Sequence, residues 1–134
     1  MGIHHNLASW TGQAGDVAGA ITLFQELLEA RIRVLGPDAP DTLITRNNLA
    51  YWTGQAGDVA GAITLFQELL EARIRVLGPD APDTLITRNN LAYWTGQAGD
   101  VAGAITLFQE LLEARIRVLG PDAPDTLITR NNLA

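Results

Sequence analysis

The chain has 134 residues, is 47% apolar, carries a net charge of −6 and contains neither cysteine nor lysine. Disulfides and thiolate metal sites are excluded, and no apolar run approaches the roughly 20 residues of a membrane-spanning helix, so no membrane is expected as a partner. All nine cations are arginine, set against fifteen acids; an acidic surface repels phosphate, so no nucleic acid is expected either.

Residues 10–50, 52–92 and 94–134 are one 41-residue string written three times and joined by Tyr51 and Tyr93, which makes the period 42 residues. A helical repeat of that length predicts an all-α solenoid, in which a unit buries its apolar side only against its neighbours. We read one array over residues 1–134, with repeats near 1–40, 41–82 and 83–124 and a partial fourth at 125–134. Natural arrays drift after duplication. Three copies without a difference therefore point to a synthetic concatenation or a very recent amplification, and we favour synthesis.

The first predicted helix covers about 3–14. The start Met1-Gly2-Ile3-His4-His5 lacks the layout of a signal peptide, so a cytoplasmic location is expected. His4 and His5 are adjacent and cannot share a helix face, so they do not suggest a metal site. The second predicted helix, 16–35, is identical to that at 58–77, where apolar residues fall at Val59, Ala62, Ile63, Phe66, Leu69, Leu70, Ile74 and Leu77. That is an amphipathic helical rhythm over about five turns. Asp58 is placed to cap its start, and Gly78-Pro79 ends it.

The third and fifth predicted helices, 42–56 and 84–98, begin after a proline, with Asp83 as the expected N-cap of the latter. Their apolar residues surround much of the helix, as expected of an element packed on several sides. Gly54 and Gly61 stand inside helices at a cost of about 1 kcal/mol each, and close helix crossing is the expected return. Gly54 to Gly61 has the wrong spacing for a dinucleotide loop, and a Walker motif lacks its lysine. The sixth helix, 100–119, repeats the second, and a seventh spans about 126–134.

The spacing of Asn48-Leu49-Ala50, Gly57-Asp58, Ala62-Ile63, Phe66 and Leu69-Leu70 resembles the tetratricopeptide repeat. Arg75 to Pro82 followed by Asn89-Asn90-Leu91-Ala92 is similar to its long, kinesin-light-chain-like variety. This resemblance covers the whole chain and implies a right-handed superhelix of antiparallel helix pairs. Two positions depart from the pattern: Arg46 stands where an aromatic is usual and Thr53 where a tyrosine is common. Trp52 is expected to take over the filling.

The resemblance further implies a non-catalytic protein- or peptide-binding scaffold working through the first helix of each pair. It places Asn47, Asn48, Tyr51 and Gln55, and one repeat on Asn89, Asn90, Tyr93 and Gln97, on the binding side. Asn offers a donor and an acceptor to a peptide backbone, and Tyr offers rigid contact area. A polar inner face is also what a repeat chosen for stability would show, and for a synthetic array that is the favoured reading. In the first repeat His5 and Ser9 replace the Asn and Tyr. Arg46 and Arg88 are expected to pair with nearby acids. Every side chain recurs 42 residues on and His occurs only near the start, so no catalytic constellation, metal or cofactor is expected. The alternative reading is a self-associating module stacking head to tail through Leu127, Ile128 and Leu133, which would make a homo-oligomer.

Overall fold

The computed structural model describes the backbone of residues 2–133 and the side chains of residues 7–132. Among these residues the fold is all-α: α1 Gly2–Gln13, α2 Val17–Leu35, α3 Pro40–Gln55, α4 Val59–Leu77, α5 Pro82–Gln97, α6 Val101–Leu119 and α7 Pro124–Leu133. Two compact units, Met1–Leu69 and Leu70–Ala134, divide within α4. In the first, α1 packs on α2 and α2 on α3; in the second, α5 packs on α6 and α6 on α7. The side chains of His4, His5 and Leu133 lie outside those described.

The long helices start as the sequence predicts. Asp58 Oδ1 accepts the Gly61 N–H at 2.9 Å, and Asp16 and Asp100 cap α2 and α6 in the same way. A free N–H of the first turn is thereby satisfied, which is worth about 1 kcal/mol per cap. This changes the reading of Gly61: the atoms nearest a Cβ there are those of the Asp58 carboxylate, with which it would collide, so the glycine makes room for the cap. Close approach does hold at Gly12 and Gly96, one repeat before and one after Gly54. At Gly96 a Cβ would lie 3.3 Å from that of Ala104, and at Gly12 it would lie 2.7 Å from the Trp52 ring.

Asp83 is not the N-cap of α5. Ala81 holds that place in an extended conformation, Pro82 is the first helical residue, and no side chain caps the end. Proline lacks the N–H that a cap would satisfy and has its φ already set, so the helix reaches back to include it. For the same reason α3, α5 and α7 each begin two residues before their predicted starts. The hydroxyl of Thr84 takes over the anchoring, donating to the Gly78 carbonyl at 2.9 Å and tying the helix start to the end of α4.

The apolar stripe of the long helices also runs differently near their ends. Ile74 and Leu77 are 41% and 44% exposed, while Ala72 and Arg73 are buried. In α6 the buried positions are Ala104, Phe108, Leu111, Ala114 and Arg115. The stripe therefore continues at four- and three-residue steps onto an arginine, which a hydropathy reading discards. The core of the first unit is Ala8, Ala20, Phe24, Leu49 and Trp52; that of the second is Leu85, Ala92, Phe108, Leu111 and Ala114. Each large side chain buried in these clusters contributes about 2 kcal/mol.

Candidate functional site

On α3, Asn47, Tyr51 and Gln55 follow at four-residue steps along one edge with Asn48 beside it, and on α5 Asn89, Tyr93 and Gln97 do the same with Asn90. Tyr51 and Tyr93 are 42% and 48% exposed. Each stands edge-on to the following tryptophan, with ring centroids 5.0 and 5.1 Å apart, so the phenol is held in place without being buried. In the second unit Asn132 Nδ2 donates to Asn89 Oδ1 at 3.2 Å, a direct rung between α7 and α5. Asn47, Asn48 and Asn90 are likewise engaged. A backbone bound along this edge would therefore exchange amide bonds with an existing set of partners.

The hollows of the first unit lie elsewhere. Arg46, Leu49 and Thr53 fall about half a turn round α3 from Asn47, Tyr51 and Gln55, given 3.6 residues per turn. Leu28, Ile32, Pro37, Arg46, Leu49, Leu65 and Glu68 line a cleft of about 290 Å³. A second hollow, of about 420 Å³, runs past Gln25, Thr53, Asp58 and Thr64 and shares Leu49 and Leu65 with the first. These spaces open beside the two positions that lack the expected aromatic. Trp52 does not fill them: it packs into the cluster with Ala8, Ala20, Phe24 and Leu49, and that expectation is corrected. The second unit has a smaller version, about 100 Å³, lined by Leu70, Arg88, Leu91, Leu107 and Glu110.

The expected ion pairing of Arg46 and Arg88 is also corrected. Among the described residues no hydrogen bond or ion pair is made by either guanidinium, or by the exposed Glu68 and Glu110 that line the same hollows. The arginine that does satisfy itself internally went unnoticed in the sequence. Arg73 Nη1 donates to the Asp83 carbonyl at 3.0 Å and to Thr87 Oγ1 at 2.8 Å, and Arg31 and Arg115 repeat the arrangement. Burial pushes Arg73 and Arg115 below the ordinary arginine range, and the neighbouring Asp83 and Asp125 oppose that. Nε of all three arginines is buried without a partner. These groups act as staples from each long helix to the next short one.

The candidate residues for end-to-end association behave differently from one another. Leu127 is 44% exposed, whereas Leu85, one repeat earlier, is 2% exposed. Ile128 is exposed in every copy, as are Ile44 and Ile86, so nothing sets it apart. At the other end Leu7 and Trp10 are exposed, with Trp10 at 72% against 8% for Trp52. No group of three or more His, Cys, Asp or Glu could hold a metal among the described residues, and none of their helices is long and apolar enough to cross a membrane.

Models of the tetratricopeptide repeat match residues 1–73, 47–102 and 84–125. The fold is similar to the nearly identical TPR-like repeats of a Podosopora anserina protein named for kinesin light chain, with a TM-score of 0.85 at 23% identity over 97% of this chain and 62% of that one. A point variant of that same protein matches equally, at TM-score 0.85 and 23% identity, over 97% of this chain and 61% of that one. BtubC (BKLC) from P. vanneervenii gives a TM-score of 0.86 at 24% identity, over 98% of this chain and 53% of that one. The chain thus spans about three fifths or less of these neighbours. No curated protein sequence matches it.

Proposed function

This chain belongs to the tetratricopeptide-repeat family, and from that membership we propose that it is a non-catalytic scaffold binding polypeptide through an Asn, Tyr and Gln edge, that of α3 in the first unit and that of α5 in the second, each by itself. The observation that carries the reading is the recurrence of one exposed tyrosine, braced edge-on by its tryptophan, between an Asn and a Gln in each unit. Rigid phenols give contact area at small entropic cost, and the amides supply bonds that do not depend on sequence. The absence of divergence among the three copies supports an assembled origin. Capture of peptides from a random library tests the binding. Tyr51→Ala with Tyr93→Ala should abolish capture and leave the thermal midpoint nearly unchanged. Equal capture by parent and variant refutes the assignment of this edge.

A second reading, self-association of the 134-residue chain through its ends, draws on the exposure of Leu127 and Trp10 where their equivalents are buried. An apolar surface that is covered elsewhere in the same chain suits a second copy. Light scattering over a concentration series should show growth that Trp10→Ser with Leu127→Lys removes. A constant monomer mass at high concentration rejects it.

A further inference from the structure

The first unit shows how a tryptophan seats on a helix pair. Trp52 lies in a cluster with Ala8, Ala20, Phe24 and Leu49, and Val17 and Ile21 pack against it. A Cβ on Gly12 would come within 2.7 Å of the Trp52 ring, so that glycine is part of the seat. Small residues of a first-type helix, Ala8 and Gly12, and the long helix after it, with Ala20 and Phe24, thus receive the ring.

The second unit carries the same seat without its ring. Two repeats on, the positions are Ala92, Gly96, Ala104 and Phe108. Among the described residues only the Ala104 Cβ comes near a Cβ placed on Gly96, at 3.3 Å. Ala104 and Phe108 are 7% and 8% exposed where Ala20 and Phe24 are 0% exposed. Val101 and Ile105 are exposed where Val17 and Ile21 are partly buried. The ring that matches this seat stands free in the same chain, since Trp10 is exposed whereas Trp52 is buried.

The repeat register shows what such a contact displaces. Trp10, Trp52 and Trp94 hold one repeat position, which next falls two residues past Ala134. A second copy entering in that register therefore lays its residues 1–8 on the place of residues 127–134. The two segments compete for the same side of α6, on which α7 packs. We propose that the seat over Gly96 receives Trp10 of a second copy, and that residues 127–134 are an internal competitor for this contact. The contact is heterologous, head to tail. It rests on the end-to-end reading above and puts Gly96 in place of Leu127 as its centre.

Light scattering over a concentration series tests it on the 134-residue chain and on one lacking residues 127–134, which keeps three whole periods. A tethered competitor acts at an effective concentration of about millimolar, so the full chain should associate only toward that range and the shortened chain at least about tenfold lower. Trp10→Ala in the shortened chain should weaken association about thirtyfold, as for a tryptophan at the centre of an interface. Gly96→Ala should weaken it about tenfold, because its methyl group meets the incoming ring as a Cβ on Gly12 would meet Trp52. The melting midpoint of dilute Gly96→Ala should be unchanged or higher, which separates a blocked seat from an unfolded one. With 5-fluorotryptophan incorporated, the Trp10 fluorine resonance should move with concentration while those of Trp52 and Trp94 stay. A shortened chain that stays monomeric, or that associates equally with Trp10→Ala, overturns the proposal. If the shortened chain loses its helical circular dichroism, the full chain decides: constant mass up to millimolar, or growth untouched by Gly96→Ala, overturns it. Association that weakens on the deletion rejects this inference and leaves the Leu127 contact standing, whereas two monomeric chains reject both.

Discussion

The pairing of Asp58 with Gly61 permits a worked prediction, because two residues with opposite intrinsic effects are coupled through one carboxylate. Asp58→Ala removes the bond to the Gly61 N–H and should cost about 1 kcal/mol. Gly61→Ala, taken alone, gains up to about 1 kcal/mol of helix propensity. Its Cβ, however, would sit 2.7 Å from Asp58 Cγ and closer still to Oδ2. The carboxylate must then rotate away, and the cap, worth about 1 kcal/mol, is lost. The single Gly61→Ala change should therefore be neutral or slightly destabilising. Once Asp58 is already alanine that carboxylate is gone, so the same change should stabilise by about 1 kcal/mol. Urea unfolding of the parent, the two single variants and the double variant measures the four corners of this cycle. The expected coupling is about 1 kcal/mol. Equal stabilisation by Gly61→Ala with and without Asp58 would refute the steric argument.

Three further outcomes follow from the packing. Gly12→Ala drives a methyl group to 2.7 Å from the Trp52 ring and should cost about 1–3 kcal/mol by overpacking, relieved when Trp52 is also changed to Leu; urea midpoints of the single and double variants decide it. Arg73→Met keeps the length of the stem while removing a desolvated charge and an unpartnered Nε, and Thr87 still donates to the Asp83 carbonyl. It should fall within about 1 kcal/mol of the parent, whereas Arg73→Ala leaves a void and should cost about 2 kcal/mol or more in the same melts. Arrays of two, three and four repeats should unfold at successively higher denaturant, and a common midpoint would contradict stabilisation by neighbouring units.

The sequence alone carried the class of fold, the helix count and the order of long and short helices. Those depend on local rules: a 42-residue period, amphipathic spacing from Val59 onward, Asp58 before a helix and Gly78-Pro79 after it. The placement of Asn47, Tyr51 and Gln55 along one helix edge was also legible, since a four-residue step fixes a common face whatever the surroundings. Three things needed the tertiary structure. Arg73 reads as a surface charge until the Asp83 carbonyl and Thr87 are seen to lie where its guanidinium ends. Gly61 reads as a crossing point until the Asp58 carboxylate is found in the space its Cβ would take. The cleft at Arg46 and Thr53 exists because Trp52, one residue from Thr53, is turned toward Ala8 and Phe24. Adjacent helical residues point about 100° apart, so a ring at the neighbouring position cannot fill the missing one's space. Periodicity assigns a residue to a face; what that face meets is set by side chains distant in the chain.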